Sequence, residues 1–166
     1  MTITEEGKSR QGWALKNSAT STPFASDSAQ VDIGYFGSAT VVLFSDGFYS
    51  ACRRALRDEG VFVSQTGSPI FQTDEFQMAY GNLSASFGSC EPYLSFVPTY
   101  PGTLWSYMSA TDGPALADGS GVAARLSARG VTCKLYSEDV HRGAFALPPF
   151  VQELCETAKP VPIPRG

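Results

Sequence analysis

The stretch of this sequence best suited to chemistry lies at residues 97–105, which read VPTYPGTLW. It places the hydroxyl of Tyr100 between Pro98 and Pro101, and Trp105 follows four residues after the second proline. Each proline fixes its own φ at about −65° and favours extended geometry in the residue before it, so the tyrosine is predicted to sit on a stiff support. A stiffly held Tyr100 could orient a bound ligand, and a tight hairpin with a packed tyrosine is the structural alternative.

A second polar side chain, Gln65, follows the short apolar run at residues 61–64 and opens the segment QTGSP. Such a run is typical of a strand buried on both faces of a parallel sheet. Ligands collect at the carboxyl edge of open α/β sheets, so Gln65 is predicted to hydrogen-bond a ligand from a loop there. A loop glutamine that faces water is the alternative.

The elements that must position these residues alternate as in an α/β fold. Apolar periodicity and stop signals predict five helices. The first starts with Asp46 as its N-cap and ends at residues 58–60. The others cover residues 73–87, residues 122–129, a segment that begins at the N-cap Ser137, and residues 150–157. Strands are predicted at residues 61–64, 93–97 and 104–110, with 132–136 extended. The strand pair around residues 97–105 places that loop at a sheet edge.

The N-terminal region lacks a clear folding pattern. Residues 1–30 sustain neither a period of 2 nor one of 3.6, and they are predicted to be irregular or disordered. A strand is expected from Val31 through Phe36 and again over residues 40–44. The predicted domains are therefore an N-terminal arm at 1–37, an α/β domain at 38–157 and a proline-rich tail at 158–166.

Composition limits the partners of the chain. Hydrophobic residues make up 43% of its 166 residues and charged residues only 17%, which indicates a folded globular protein. The net charge is −4 and the 12 basic residues are scattered, so no nucleic acid or membrane partner is expected, and a small cationic ligand fits better. Neither a spanning segment nor a signal peptide is recognised, so the expected compartment is the cytoplasm.

The cysteines and the lone histidine do not suggest a metal site. The four cysteines lie far apart without a C-x-x-C pair, and they are predicted to be reduced and mostly buried thiols. His141 is the only histidine, and no acid or cysteine cluster has ligand spacing, so no metal is expected. Early in a predicted helix, His141 is interpreted as a structural hydrogen-bonding residue rather than a catalyst.

Four blocks of the sequence resemble, in order, segments of the polyamine aminopropyltransferase (spermidine synthase) family. The blocks are LFSDGFY followed by CRRAL at residues 43–56, GVFVSQTGSP at 60–69, FVPTYPGTLW at 96–105 and YSEDVHRGAFALPPFV at 136–151. The resemblance covers residues 38–154 and only the C-terminal half of the family pattern. It implies the back half of a Rossmann-like, methyltransferase-type sheet with flanking helices.

The resemblance also implies an activity and roles for three residues. The family transfers an aminopropyl group from decarboxylated S-adenosylmethionine to a diamine, typically putrescine. By the family pattern, Tyr100 would hydrogen-bond and orient the diamine, Gln65 would line the acceptor pocket, and Trp105 would wall the aliphatic part of the substrate. Decarboxylated S-adenosylmethionine would be a co-substrate, and no further cofactor is implied.

The donor-binding features of the family are not recognisable in this sequence. A glycine-rich loop, the acids for ribose and adenine, and the segment that holds the general base are all missing from the pattern. Asp27 and Asp32 are the only candidates for the acid pair, and neither is assigned as the base, because a carboxylate on an unsupported arm lacks positioning.

Two functions therefore stay open for the chain. It is either an aminopropyltransferase that needs a donor half from another chain, or a non-catalytic module that pairs with a full-length relative. A homo-oligomer is also expected, since a parallel sheet cut near its middle exposes an unpaired edge. A methyltransferase-like binding protein of other specificity is a third alternative.

Overall fold

The computed structural model describes residues 2–5, 8–11, 26–31, 41–100, 102 and 104–162, with the backbone alone at 2–5, 8–11, 26–31 and 41–42. The main sheet has four strands in the order β3–β4–β6–β5. The strands are Thr2–Glu5 (β1), Lys8–Gln11 (β2), Ser26–Val31 (β3), Leu56–Gly67 (β4), Ser89–Phe96 (β5) and Leu104–Thr111 (β6). β3 runs parallel to β4, whereas β6 is antiparallel to both β4 and β5, and β1 pairs with β2 in a separate antiparallel sheet.

Five α-helices accompany the strands in the described part of the chain. They are Asp46–Ala55 (α1), Thr73–Ser86 (α2), Val122–Ala128 (α3), Glu138–Phe145 (α4) and Pro149–Thr157 (α5). The predicted α/β class is confirmed, with a mixed sheet. No described helix is both long and apolar enough to cross a membrane.

The core lies between one face of the sheet and helices α1, α2 and α5. Its fully buried side chains include Phe44, Tyr49, Phe62, Phe76, Leu83, Met108 and Val151. The ring of Phe62 stacks on Phe87 with centroids 5.8 Å apart and meets Tyr49 edge-on at 5.7 Å. The apolar face predicted for α2 is confirmed, because a 3.6-residue period over 14 residues is a strong signal.

The ends of the first helix differ from the prediction. Ser45, not Asp46, is the N-cap of α1, and its Oγ accepts a hydrogen bond from the Phe48 amide at 3.1 Å. Asp46 is the first helical residue, where a carboxylate still favours the helix dipole. The helix ends at Ala55 rather than at 58–60, because β4 begins at Leu56 and pairs there with β3 at Ser26.

Several strand predictions in the first 44 residues were wrong in detail. Val41–Phe44 is a short 3₁₀ helix rather than a strand, and the expected residues 32–40 lie outside the described residues. The arm predicted as irregular contains the described strands β1, β2 and β3. These strands lack alternation of apolar residues, and backbone pairing with a neighbour accounts for them. The segment at 132–136 forms neither helix nor strand.

The proline-rich segment after α5 packs on α2 through Lys159 and Val161. Asn82 is 2% exposed, and its Nδ2 donates to the carbonyls of Phe44 at 2.8 Å and Val161 at 3.1 Å. Its Oδ1 accepts from the Val161 amide at 2.7 Å. A Cβ added to Gly81 would lie 2.4 Å from the Lys159 carbonyl oxygen, so only glycine allows this approach. One side chain therefore joins the 3₁₀ helix, α2 and the proline-rich segment.

His141 connects α4 to the segment that follows β6. Its Nε2 donates to the Leu116 carbonyl oxygen at 2.6 Å, so Nδ1 accepts from the Tyr136 hydroxyl at 2.7 Å. The Leu116 amide in turn donates to the Glu91 carboxylate of β5 at 2.5 Å. The predicted structural role of His141 agrees with these contacts, and α4 is capped by Ser137 as predicted, with its Oγ accepting from the Val140 amide.

All four cysteines are free thiols, as predicted, and they differ in exposure. Burial raises the pKa of Cys52 to about 12, of Cys90 to about 12 and of Cys155 to about 11. Cys133 is exposed, contrary to the expectation of mostly buried thiols. The thiolate is the reactive form, so the three buried or half-buried thiols stay protonated and unreactive near neutral pH.

Labelling with iodoacetamide at pH 8 is expected to modify Cys133 alone in the folded protein, because the other thiols are both shielded and protonated. Intact mass spectrometry would count the added groups, and labelling in concentrated urea should modify all four cysteines. The Cys133→Ser variant is the control and should stay unlabelled when folded. Rapid labelling of Cys52 in the folded protein would contradict the burial described above.

Candidate functional site

Three chain segments meet at one edge of the main sheet. The carboxyl ends of the parallel strands β3 and β4 lie side by side, with Val31 paired to Ser64. Since β6 is antiparallel to β4, its first residues lie at the same edge, where Gly67 pairs with Ser106. The loop between β5 and β6, which carries Tyr100, closes this edge. The fold therefore brings Gln65, Tyr100 and Trp105 to one end of the sheet.

Gln65 lies within β4 rather than in a loop, so that part of the prediction was wrong. It is 5% exposed, which also excludes the alternative of a glutamine that faces water. It pairs with Tyr107 of β6, and Trp105 is two residues earlier in β6, so all three residues lie on one face of the sheet. The amide side chain is thus held on a strand, which positions it more precisely than a loop would.

The end of β4 is joined to β6 by hydroxyl groups. A register shift lies between Gln65 and Gly67. Beside it, the Ser106 Oγ donates to the Gly67 carbonyl at 2.7 Å, so the Thr66 hydroxyl donates to Ser106 at 2.9 Å. All three residues are buried. These hydrogen bonds hold β4 and β6 together beside Gln65 and Trp105.

Tyr100 and Trp105 form a stacked aromatic pair across the loop. Their ring centroids are 4.2 Å apart and their planes differ by 28°. Trp105 is 7% exposed and Tyr100 is half-buried, and the Tyr100 amide donates to the Val97 carbonyl at 3.1 Å. Within the described part of the chain the Tyr100 hydroxyl makes no hydrogen bond. The structural alternative, a hairpin with a packed tyrosine, is therefore present.

An aromatic stripe continues down the same face of the sheet. Tyr107 stacks on Tyr93 with centroids 5.2 Å apart, and Tyr93 meets Phe145 of α4 at 5.2 Å. Burial raises the pKa of Tyr93 to about 12, with further contributions from Tyr107 and Tyr136. Tyr93 thus stays protonated at neutral pH and serves as packing below the site.

The turn after β4 also reaches this edge, and sequence reasoning missed it. A Cβ added to Gly102, whose φ is 76°, would lie 2.5 Å from Cε2 of Phe71. The Phe71 ring therefore lies directly on the loop that carries Tyr100. The signal in the sequence is the turn residue pair Ser68-Pro69 after a buried strand, but no spacing rule links this turn to residue 102.

Two aspartates and one groove remain to be located relative to the site. Asp27 lies in β3, so the strand supports its backbone, and Asp32 lies outside the described residues. A groove of about 570 Å³ adjoins the turn but includes none of the three predicted residues; it is lined by Pro69, Ile70, Thr73, Phe150, Glu153, Leu154 and Thr157. Among the residues that the structure describes, no group of three His, Cys, Asp or Glu could hold a metal ion.

Comparison with known sequences gives a consistent set of relatives. A protein-family model described as the spermine/spermidine synthase domain matches residues 25–118, from the start of β3 to beyond β6. The polyamine aminopropyltransferase of Erwinia tasmaniensis is 39% identical over 111 residues, which are 66% of this chain and 39% of the relative. That of Nitrosomonas europaea is 40% identical over 130 residues, 76% of this chain and 39% of the relative. The chain thus spans about two fifths of the length of these curated relatives.

Comparison with solved structures leads to the same group. Spermidine synthase from Thermotoga maritima aligns with a TM-score of 0.61 and 34% identity over 69% of this chain and 40% of its own. A spermidine synthase in complex with the transition-state analogue AdoDATO aligns equally well, with a TM-score of 0.61. A probable spermidine synthase from Corynebacterium glutamicum is 15% identical with a TM-score of 0.53, and it shows the likeness of fold alone.

Proposed function

This chain belongs to the spermine/spermidine synthase family, and we propose on that premise that it carries the acceptor side of a polyamine aminopropyltransferase. The reaction would transfer an aminopropyl group from decarboxylated S-adenosylmethionine to putrescine or a similar diamine. The observation that supports this most is the stacked pair of Tyr100 and Trp105 at the sheet edge that also holds Gln65. The stack places a half-buried tyrosine beside an apolar wall, which suits an amine on an aliphatic chain.

Each of the three residues has a chemical role in this proposal. Tyr100 accepts a hydrogen bond from the diamine and aims the attacking nitrogen, Gln65 fixes the amine by its side-chain amide, and Trp105 packs against the methylene groups. The attacking nitrogen first loses a proton; its lone pair then forms the new C–N bond while the C–S bond breaks and methylthioadenosine leaves. Neither Asp27 nor Asp32 is assigned as the base that takes this proton.

We propose further that the donor half is supplied from outside this sequence, because the donor-binding features of the family are not recognisable in it. The test is release of methylthioadenosine from putrescine and decarboxylated S-adenosylmethionine, measured by chromatography. The chain alone should give no product above blank. Addition of a full-length relative with a disabled acceptor site should restore release, and failure of that mixture would count against the proposal.

A second candidate function is a non-catalytic module that pairs with a full-length relative. It is favoured by the position of β3 as the outermost described strand of the main sheet, because the backbone groups of an edge strand can pair with another chain. Under this alternative, the chain co-purifies with a tagged full-length synthase and changes its activity without restoring a disabled acceptor site. The mixing experiment therefore separates the two functions.

A further inference from the structure

We propose that Phe71 forms the outer wall of the acceptor site and makes it favour amines with a longer aliphatic chain than putrescine. This inference rests on the proposed function, since it concerns the ligand of the same site. It is carried by three observations: a rigid turn that holds Phe71, the contact of its ring with the Tyr100 loop, and the exposure of the ring.

The turn that holds Phe71 is locked from both ends. The Ser68 amide donates to the Gln72 Oε1 at 3.0 Å, and the Gln72 amide donates to the Ser68 carbonyl at 2.9 Å. The Ser68 Oγ also accepts hydrogen bonds from the amides of Ile70 at 3.3 Å and Phe71 at 3.4 Å. A Cβ on Gly67, with φ 85°, would lie 2.6 Å from Gln72 Oε1, so the turn needs glycine there. The backbone at Phe71 is therefore fixed by the fold.

The ring of Phe71 lies against the loop that follows Tyr100. It lies against Gly102, at the 2.5 Å approach described above. Gly102 is two residues after Tyr100, and two residues span at most about 7 Å. An extended diamine whose first amine meets Tyr100 can thus place its more distant methylene groups and second ammonium over Phe71.

The exposure of Phe71 gives this ring a ligand-binding face. Its side chain is 67% exposed although one side packs on Gly102, so the other side is open to solvent. An aromatic face of this kind binds alkyl chains and attracts an ammonium group within about 6 Å of its centroid. Ile70, in the same turn, is 49% exposed and instead lines the groove beside α5, which makes it a matched control.

Isothermal titration of the full chain with putrescine, cadaverine and hexamethylenediamine tests the inference. The unaltered chain should bind more tightly with each added methylene, by up to about fourfold, which is the ratio expected for complete burial of one CH₂ group. In the Phe71→Ala variant the affinity should become almost independent of chain length. Ile70→Ala should keep the increase of affinity with chain length, and Phe71→Leu should keep it while it binds every diamine more weakly, since it lacks the aromatic face.

The outcomes separate this inference from the proposed function. Binding of no diamine by the unaltered chain would overturn both. Two results would overturn the role of Phe71 and leave the acceptor site intact. One is the same gain of affinity per added methylene in Phe71→Ala as in the unaltered chain. The other is that the unaltered chain binds putrescine most tightly of the three diamines. Circular dichroism checks that the variants fold, and Phe71→Leu decides the result if Phe71→Ala does not.

Discussion

Replacement of Asn82 by alanine is expected to lower the free energy of unfolding by about 1–3 kcal/mol. The change removes three hydrogen bonds: it leaves the Phe44 carbonyl without its partner in a buried place, and the carbonyl and amide of Val161 without theirs in a part-buried one. An unsatisfied buried polar group costs more than the hydrogen bond itself contributed, because water cannot replace the lost partner. Urea unfolding followed by circular dichroism would measure the loss.

Two further variants define what this loss means. Asn82→Asp keeps the acceptor for the Val161 amide but turns a negative oxygen toward two carbonyls, so it should be at least as damaging at neutral pH. Gln77→Ala removes exposed and half-buried bonds to Leu154 and Thr157, and should cost less than about 1 kcal/mol. A stability of Asn82→Ala within about 0.5 kcal/mol of the unaltered chain would show that residues 159–162 are not anchored through Asn82.

The Tyr100→Phe variant is expected to weaken putrescine binding by about 10- to 100-fold. The change deletes the hydroxyl alone and keeps the ring that stacks on Trp105 at 4.2 Å, so stability should stay within about 0.5 kcal/mol. A hydrogen bond to a charged amine contributes more than a bond between neutral groups, which accounts for the size of the effect. Titration calorimetry measures the binding, and methylthioadenosine release in the mixed assay should fall by a similar factor.

Tyr80→Phe is the matched control, because Tyr80 packs half-buried on α2 against the core and away from this edge. Its binding of putrescine should equal that of the unaltered chain. If Tyr100→Phe binds putrescine as tightly as the unaltered chain, the Tyr100–Trp105 pair only packs the hairpin and does not bind the amine. It would also remove the main support for placing the acceptor at this edge.

Local patterns predicted the second half of the fold well. The hairpin β5–β6, α2 and the cap of α4 follow from alternation, from a 3.6-residue period and from a serine before two acids, and each signal lies within a few residues. The end of α1 and the strand β3 were missed for a common reason. Their geometry is set by pairing between Ser26 and Leu56, which are remote in sequence.

In the candidate site, too, some features were predictable from the sequence and others depend on tertiary packing. The residue types and order of Gln65, Tyr100 and Trp105, together with the four family blocks, pointed from the primary structure to an amine acceptor site. Their meeting at one edge depends on the antiparallel placement of β6 against β4, and the contact of Phe71 with Gly102 depends on two loops folding together. No local signal encodes such contacts, because they join segments about 30 residues apart whose relative position is set by packing of the whole sheet.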